Sequence, residues 1–245
     1  MMPDFPITLF QFLLATGIVI LGSIIQGSVG FGLGPLAVPL LVLIDPIFIP
    51  GPLILAALLL TILIFQRERS AVDFKGIKWA IAGRLIGTAT GAFVLTLISG
   101  SQMVLLLAGL VILAVIINAS GLRLKAVSWT ILGAGTLSGF MAVVAAIGGA
   151  PMALIYQDEA GPIIRSTLSG IFIIGIILAL ISLIVIGKFG YTEMIIAVSM
   201  FPGIYIGFLI SSQTKKYLDR GYIRVAVLTV SAIAASVLIL RYFIS

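Results

Sequence analysis

The chain contains no cysteine and no histidine. The first absence excludes disulfides, zinc–thiolate sites and thiol nucleophiles. The second removes the commonest metal ligand and the side chain that titrates near neutral pH. Charge is scarce too: 9% of residues are Asp, Glu, Lys or Arg, where a soluble domain carries about 25%. Hydrophobic residues make up 61% and the mean hydropathy is +1.33. Such a chain cannot cover a water-soluble surface with polar groups, so it reads as a polytopic membrane protein in contact with a lipid bilayer. The net charge of +6 lies between apolar runs and reads as an orientation signal, not as nucleic-acid binding. No catalytic residue, metal or cofactor is assigned. The amino terminus carries Asp4 instead of a basic region, and no A-x-A site follows the first apolar run. The first segment is therefore expected to stay in the mature protein.

Lipid offers backbone groups no partner, which leaves helices or a closed barrel. The long apolar runs show no two-residue alternation, so the fold class is all-α. Ordinary spans are read near 50–66, 78–98, 102–119, 165–187, 192–212 and 222–243, with a turn at Ser99-Gly100-Ser101. Two segments, 5–44 and 127–157, are different. The first holds QGSVGFGLGPLAVPLL from Gln26 to Leu41, the second SGFMAVVAAIGGAPMALIYQ from Ser138. Glycine and proline break helices, and broken backbone at membrane depth is tolerated only inside protein or beside a watery cavity.

Charge placement decides how these two segments run. Single spans leave eight Lys and Arg on one face and five on the other. Re-entrant hairpins of two half-helices put Arg67, Arg69, Lys75, Lys78, Arg123, Lys125, Arg165, Lys215, Lys216, Arg220 and Arg224 together, against Lys188 and Arg241. The positive-inside rule favours the hairpins, with both termini outside and the loops 67–78, 120–126 and 213–223 in the cytoplasm. Two full crossings in place of each hairpin distribute the charges identically, although the arms 31–44 and 148–157 are short for spans. Each half, 1–122 and 123–245, then comprises one hairpin and three spans, an odd number of crossings that gives two inverted repeats. The residues repeat as well. Gly32-Leu33-Gly34-Pro35 lines up with Gly148-Gly149-Ala150-Pro151, and Gly87-x-x-x-Gly91 with Gly203-x-x-x-Gly207; the latter pairs read as close helix packing. Gln26-Gly27 pairs with Ser138-Gly139 if the second copy carries four extra residues.

A helix starting at mid-membrane points unsatisfied N–H groups and a positive dipole end inward, which attracts anions. The candidate site is therefore built from Gly30, Phe31, Gly32 and Gly34 at the first break and Gly148 and Gly149 at the second. Gln26, Ser28, Ser138 and Tyr205 are polar groups suited to an oxyanion, or equally to freed backbone at a break. Arg84 is read as the strongly charged side chain inside a span, with an anion, a carbonyl or water as partner, or snorkelling toward the cytoplasm. Asp158-Glu159 reads as a solvated turn.

Together these residues resemble the sulfite exporter TauE/SafE family, also called the four-toluene sulfonate uptake family. The likeness rests on QGSVGFGLGPLAVPLLVL, the second GGAPMALIY, Arg165-Ser166-Thr167-Leu168 and Phe201-Pro202-Gly203-x-x-x-Gly207. It implies a permease for sulfite, sulfoacetate or related sulfonates in a prokaryotic plasma membrane. The residues alone leave another small carboxylate or inorganic anion open as substrate. They also leave an intramembrane enzyme or an assembly subunit as rivals, and a homodimer as a partner state. The four-residue insertion departs from the family pattern and bears on the second hairpin's part in the site.

Overall fold

The computed structural model describes residues 7–98, 100–218 and 222–244. Among these residues ten α-helices follow in order: α1 (Leu9–Val29), α2 (Leu33–Ile44), α3 (Gly51–Glu68), α4 (Ile77–Leu97), α5 (Gly100–Ala119), α6 (Ser128–Ala145), α7 (Gly149–Tyr156), α8 (Gly161–Val185), α9 (Tyr191–Leu218) and α10 (Tyr222–Ile244). The six spans read from the sequence are α3, α4, α5, α8, α9 and α10. Among the described residues, seven helices (α1, α3, α4, α5, α6, α8 and α9) are long and apolar enough to cross a membrane. Asp4, Ser99, Asp219 and Arg220 lie outside the described residues, as do the side chains of Lys215, Lys216, Arg224 and Arg241.

Both unusual segments break where glycine predicts, but not into equal halves. Thr8 and Gln11 form a capping box that starts α1. The helix ends at Gly30, whose φ of 101° suits glycine, and Gly32 at φ 133° caps the start of α2. The second break uses Ala146, a non-glycine residue at φ 58°, and Gly148 as the cap of α7. With 21 and 18 residues, α1 and α6 reach roughly 31 and 27 Å, while α2 and α7, with 12 and 8, reach only about 18 and 12 Å. The two arms expected in each hairpin are therefore present but unequal in length. In each segment the breaker sits late in the apolar run, so the first arm is long enough to cross and the second is not. Both second arms return toward their starting face. Gln11 Nε2 donates to Asp45 Oδ2 at 3.4 Å, and Gln157 Nε2 donates to the Leu122 carbonyl at 2.6 Å.

Glycine contacts fix which helices lie together. Gly83, Gly87 and Gly91 of α4 face Leu132, Thr136, Phe140 and Val143 of α6, so the two run parallel; Gly203 and Gly207 of α9 face Thr16, Ile20 and Ser23 of α1 in the same way. The close-packing reading of both glycine pairs describes these contacts. Arg165 near the start of α8 meets Glu68 at the end of α3, so those two run antiparallel. Hence α1, α3 and α9 point one way and α4, α6 and α8 the other. Two bundles result, one of α1, α2, α3 and α9, the other of α4, α6, α7 and α8, joined mainly where α3 lies on α8. The fourth helix of each sequence half thus packs with the opposite half. α5 and α10 pack on each other and on the short arms.

This packing also corrects the pairing of Gln26-Gly27 with Ser138-Gly139. Gly27 faces Ser211 of α9, whereas Gly139 faces Arg84 and Thr88 of α4. Thr16 and Thr136 are the equivalent contacts, because each sits on the first glycine of its pair. Counted from them, the break follows after 14 residues in α1 and after 10 in α6. The first arm carries the extra turn.

Candidate functional site

The two breaks touch. A Cβ placed on Gly34 would lie 2.2 Å from the Ala146 carbonyl oxygen, and one on Gly149 would lie 3.0 Å from the Phe31 Cβ. Between the bundles at this level is a cavity of about 50 Å³. A water needs roughly 10–15 Å³ on such a measure, so the space suits a few waters or one small polyatomic ion. One bundle contributes Gln26, Gly32, Gly34 and Pro35 from the first break and Ile54, Ala57 and Thr61 from α3. The other contributes Arg84, then Ala142, Ala146, Gly148 and Gly149 around the second break, and Phe172, Ile176 and Ala179 from α8.

Arg84 supplies the charge. It is 1% exposed, its Nη1 donates to Ser138 Oγ at 2.7 Å, and Ser138 Oγ in turn donates to the Gly148 carbonyl. Its guanidinium lies 5.2 Å above the Phe172 ring, a cation–π contact, and its Nε has no hydrogen-bond partner. The side chain fits because residue 175 has none: a Cβ there would be 1.7 Å from Nε. Arg84 therefore does not snorkel. No ion pair involves it among the described residues. An arginine this deep is costly without a counter-charge, and here the guanidinium faces two helix starts that are themselves electropositive. α2 and α7 begin at Gly32 and Gly148 with no capping bond from their own cap residues. Gln26 Oε1 accepts from the Leu33 N–H at 3.3 Å, and Pro35 and Pro151, third in their helices, bring no N–H. The arrangement can hold an anion between a fixed cation and two dipole ends.

Of the residues read from the sequence, Gln26, Gly32, Gly34, Arg84, Gly148 and Gly149 line the cavity, with Phe31 and Ser138 beside it. Ser28 and Gly30 turn away: the Ser28 carbonyl accepts from Arg165 Nη1 at 2.8 Å, and Gly30 packs on Arg165. Tyr205 is 51% exposed on α9 and does not line the cavity. Asp158 and Glu159 are exposed in the turn after α7.

Sequence reasoning missed the α3 and α8 lining. It also put Arg67 in a cytoplasmic loop and Arg165 at the cytoplasmic start of a span, and the structure shows that both are held inside the protein. Arg165 is 3% exposed and Glu68 7%; Arg165 Nε pairs with Glu68 Oε2 at 2.7 Å, and Arg67 Nε with Glu68 Oε1 at 3.1 Å. Arg67 also donates to Ser211, Ser212 and the Gly27 carbonyl. Its ring partner is Phe208, 5.1 Å away. The two arginines bond the carbonyls that α1 leaves unpaired at its last turn. The sequence signal was Arg165 lying inside the apolar helix that Pro162 opens.

A family model for the Sulfite exporter TauE/SafE matches residues 14–238, from within α1 to within α10. No curated protein and no solved structure gives a significant match. With the match spanning nearly the whole chain, this protein belongs to the sulfite exporter TauE/SafE family of membrane transporters.

Proposed function

We propose that this protein is a secondary transporter of small sulfur oxyanions, sulfite or short organosulfonates, in a prokaryotic plasma membrane. The substrate's anionic group binds between the two breaks, against Arg84. The observation that carries this reading is a buried arginine that lines a cavity beside two helix starts and has no carboxylate partner among the described residues. The halves 1–122 and 123–245 act as inverted repeats, and the opposed directions of their matching helices support that. Alternating access then moves one four-helix bundle against the other about the α3–α8 contact, exposing the cavity to each face in turn.

The test is a thermal-unfolding screen with sulfite, sulfoacetate, taurine and acetate. A ligand present at a hundredfold excess over its Kd adds about 2.7 kcal/mol to the folded state. Sulfite and sulfoacetate should stabilise the wild type and leave Arg84→Ala unmoved, with zwitterionic taurine and acetate weaker. Equal stabilisation of Arg84→Ala would remove this site. A response to acetate alone would replace the sulfur anions with a carboxylate.

A further inference from the structure

We propose that the Arg165–Glu68 ion pair is the latch that closes the cavity toward the face carrying the 69–76 and 120–127 connections. The cavity lies between the two bundles, so a gate must be a contact that joins them. Glu68 belongs to one bundle and Arg165 to the other, and theirs is the one ion pair between bundles among the described residues. It also stands at the right depth. Glu68 is seven residues beyond Thr61 on α3, and Arg165 seven before Phe172 on α8, so each sits about 10 Å past the cavity wall.

Every other bond of Arg165 strengthens the same seam. Its Nη1 bonds the Ser28 carbonyl of α1, across the interface, and Gly30 packs directly on its backbone. Close by, Asp73 N–H donates to Thr167 Oγ1 at 2.9 Å, tying the connection after α3 to α8. Arg67 holds Glu68 from behind, within the first bundle, so the carboxylate stays in place whether or not Arg165 is attached. At the other end of α3, Gly51 packs on the Phe189 ring and on Glu193. Opening toward the 69–76 face requires Arg165 to leave Glu68 and the α1 carbonyl together.

The proposal rests on the alternating-access reading, and its test needs no substrate. Because the chain has no cysteine, Ala57→Cys places a single thiol on the cavity wall. Its reaction with an anionic, membrane-impermeant methanethiosulfonate is timed in sealed vesicles of each orientation. Adding Glu68→Gln should raise the rate from the 69–76 face by on the order of tenfold, the usual scale of coupling through a two-state element, and leave the other face unchanged or slower. Arg165→Lys, which keeps the charge but not the two-armed reach, should give a smaller rise on that face and serves if Glu68→Gln fails to fold. An unchanged rate from that face overturns the latch. An equal rise from both faces also does, since it shows a packing staple whose loss loosens the whole molecule. A mistaken substrate would leave this asymmetry intact and show only in the thermal screen.

Discussion

Gly175→Ala adds one methyl group at the point where the fold makes room for Arg84. The added carbon would start 1.7 Å from Nε and 2.3 Å from Cζ, and ordinary contact begins at 3.4 Å. The guanidinium must therefore retreat by about 1.7 Å, toward the break and into the cavity, since α8 is behind it. That displacement disturbs the Nη1–Ser138 bond and pushes the guanidinium into the space the anion would occupy, so the anion loses its aligned donor. A charge-assisted hydrogen bond is worth about 1.5–3 kcal/mol, so affinity should fall roughly 10- to 150-fold. Meanwhile alanine is the better helix former by about 1 kcal/mol, which offsets part of the strain and keeps the protein foldable. The assay is calorimetric titration of sulfite into purified wild type and variant, with the ligand-free melting temperature as control. Combining Gly175→Ala with Arg84→Ala should weaken binding no further than Arg84→Ala alone, because both act on one group. Wild-type affinity in a well-folded Gly175→Ala protein would refute the placement of Arg84 as the anion's partner.

Gly34→Val should abolish proteoliposome uptake while the protein still expresses, because the side chain would wedge the Ala146 carbonyl away and separate the two breaks. Gly87→Leu should lower thermal stability by about 1–3 kcal/mol or more without a specific loss of affinity per folded molecule, since a Cβ there would be 1.8 Å from the Thr136 carbonyl oxygen and would force α4 off α6. Tyr205→Phe should leave both affinity and flux unchanged, given its position on the exposed side of α9.

Much of the fold was legible because lipid imposes simple constraints. Twenty-odd apolar residues become a helix, and Gly30, Gly32 and Gly148 interrupt one wherever they fall. The duplicated Gly-x-x-Pro runs marked both short arms, and Gly32 and Gly148 do cap them. Length was misjudged because periodicity says nothing about where along an apolar run a break comes, and Ala146 adopts a left-handed conformation that its residue type does not announce. Arg67, Glu68 and Arg165 were hidden for a different reason. A charge near a helix end looks solvated unless one knows which helix end lies opposite. Here the end of α1 supplies bare carbonyls to both arginines, a meeting of residues 27, 28, 67 and 165 that only the tertiary arrangement brings about. Gly175 carried no sequence signal, since its role is to be absent beside a side chain 91 positions earlier.

An anion bound where the two breaks meet can be located directly by anomalous X-ray scattering from crystals grown with selenite, the heavier analogue of sulfite. The predicted result is a selenium peak in the cavity between Gly34 and Gly148, within hydrogen-bond reach of the Arg84 guanidinium and lost in Arg84→Ala. A peak seated elsewhere in the protein, with Arg84 bonded only to Ser138, would contradict it.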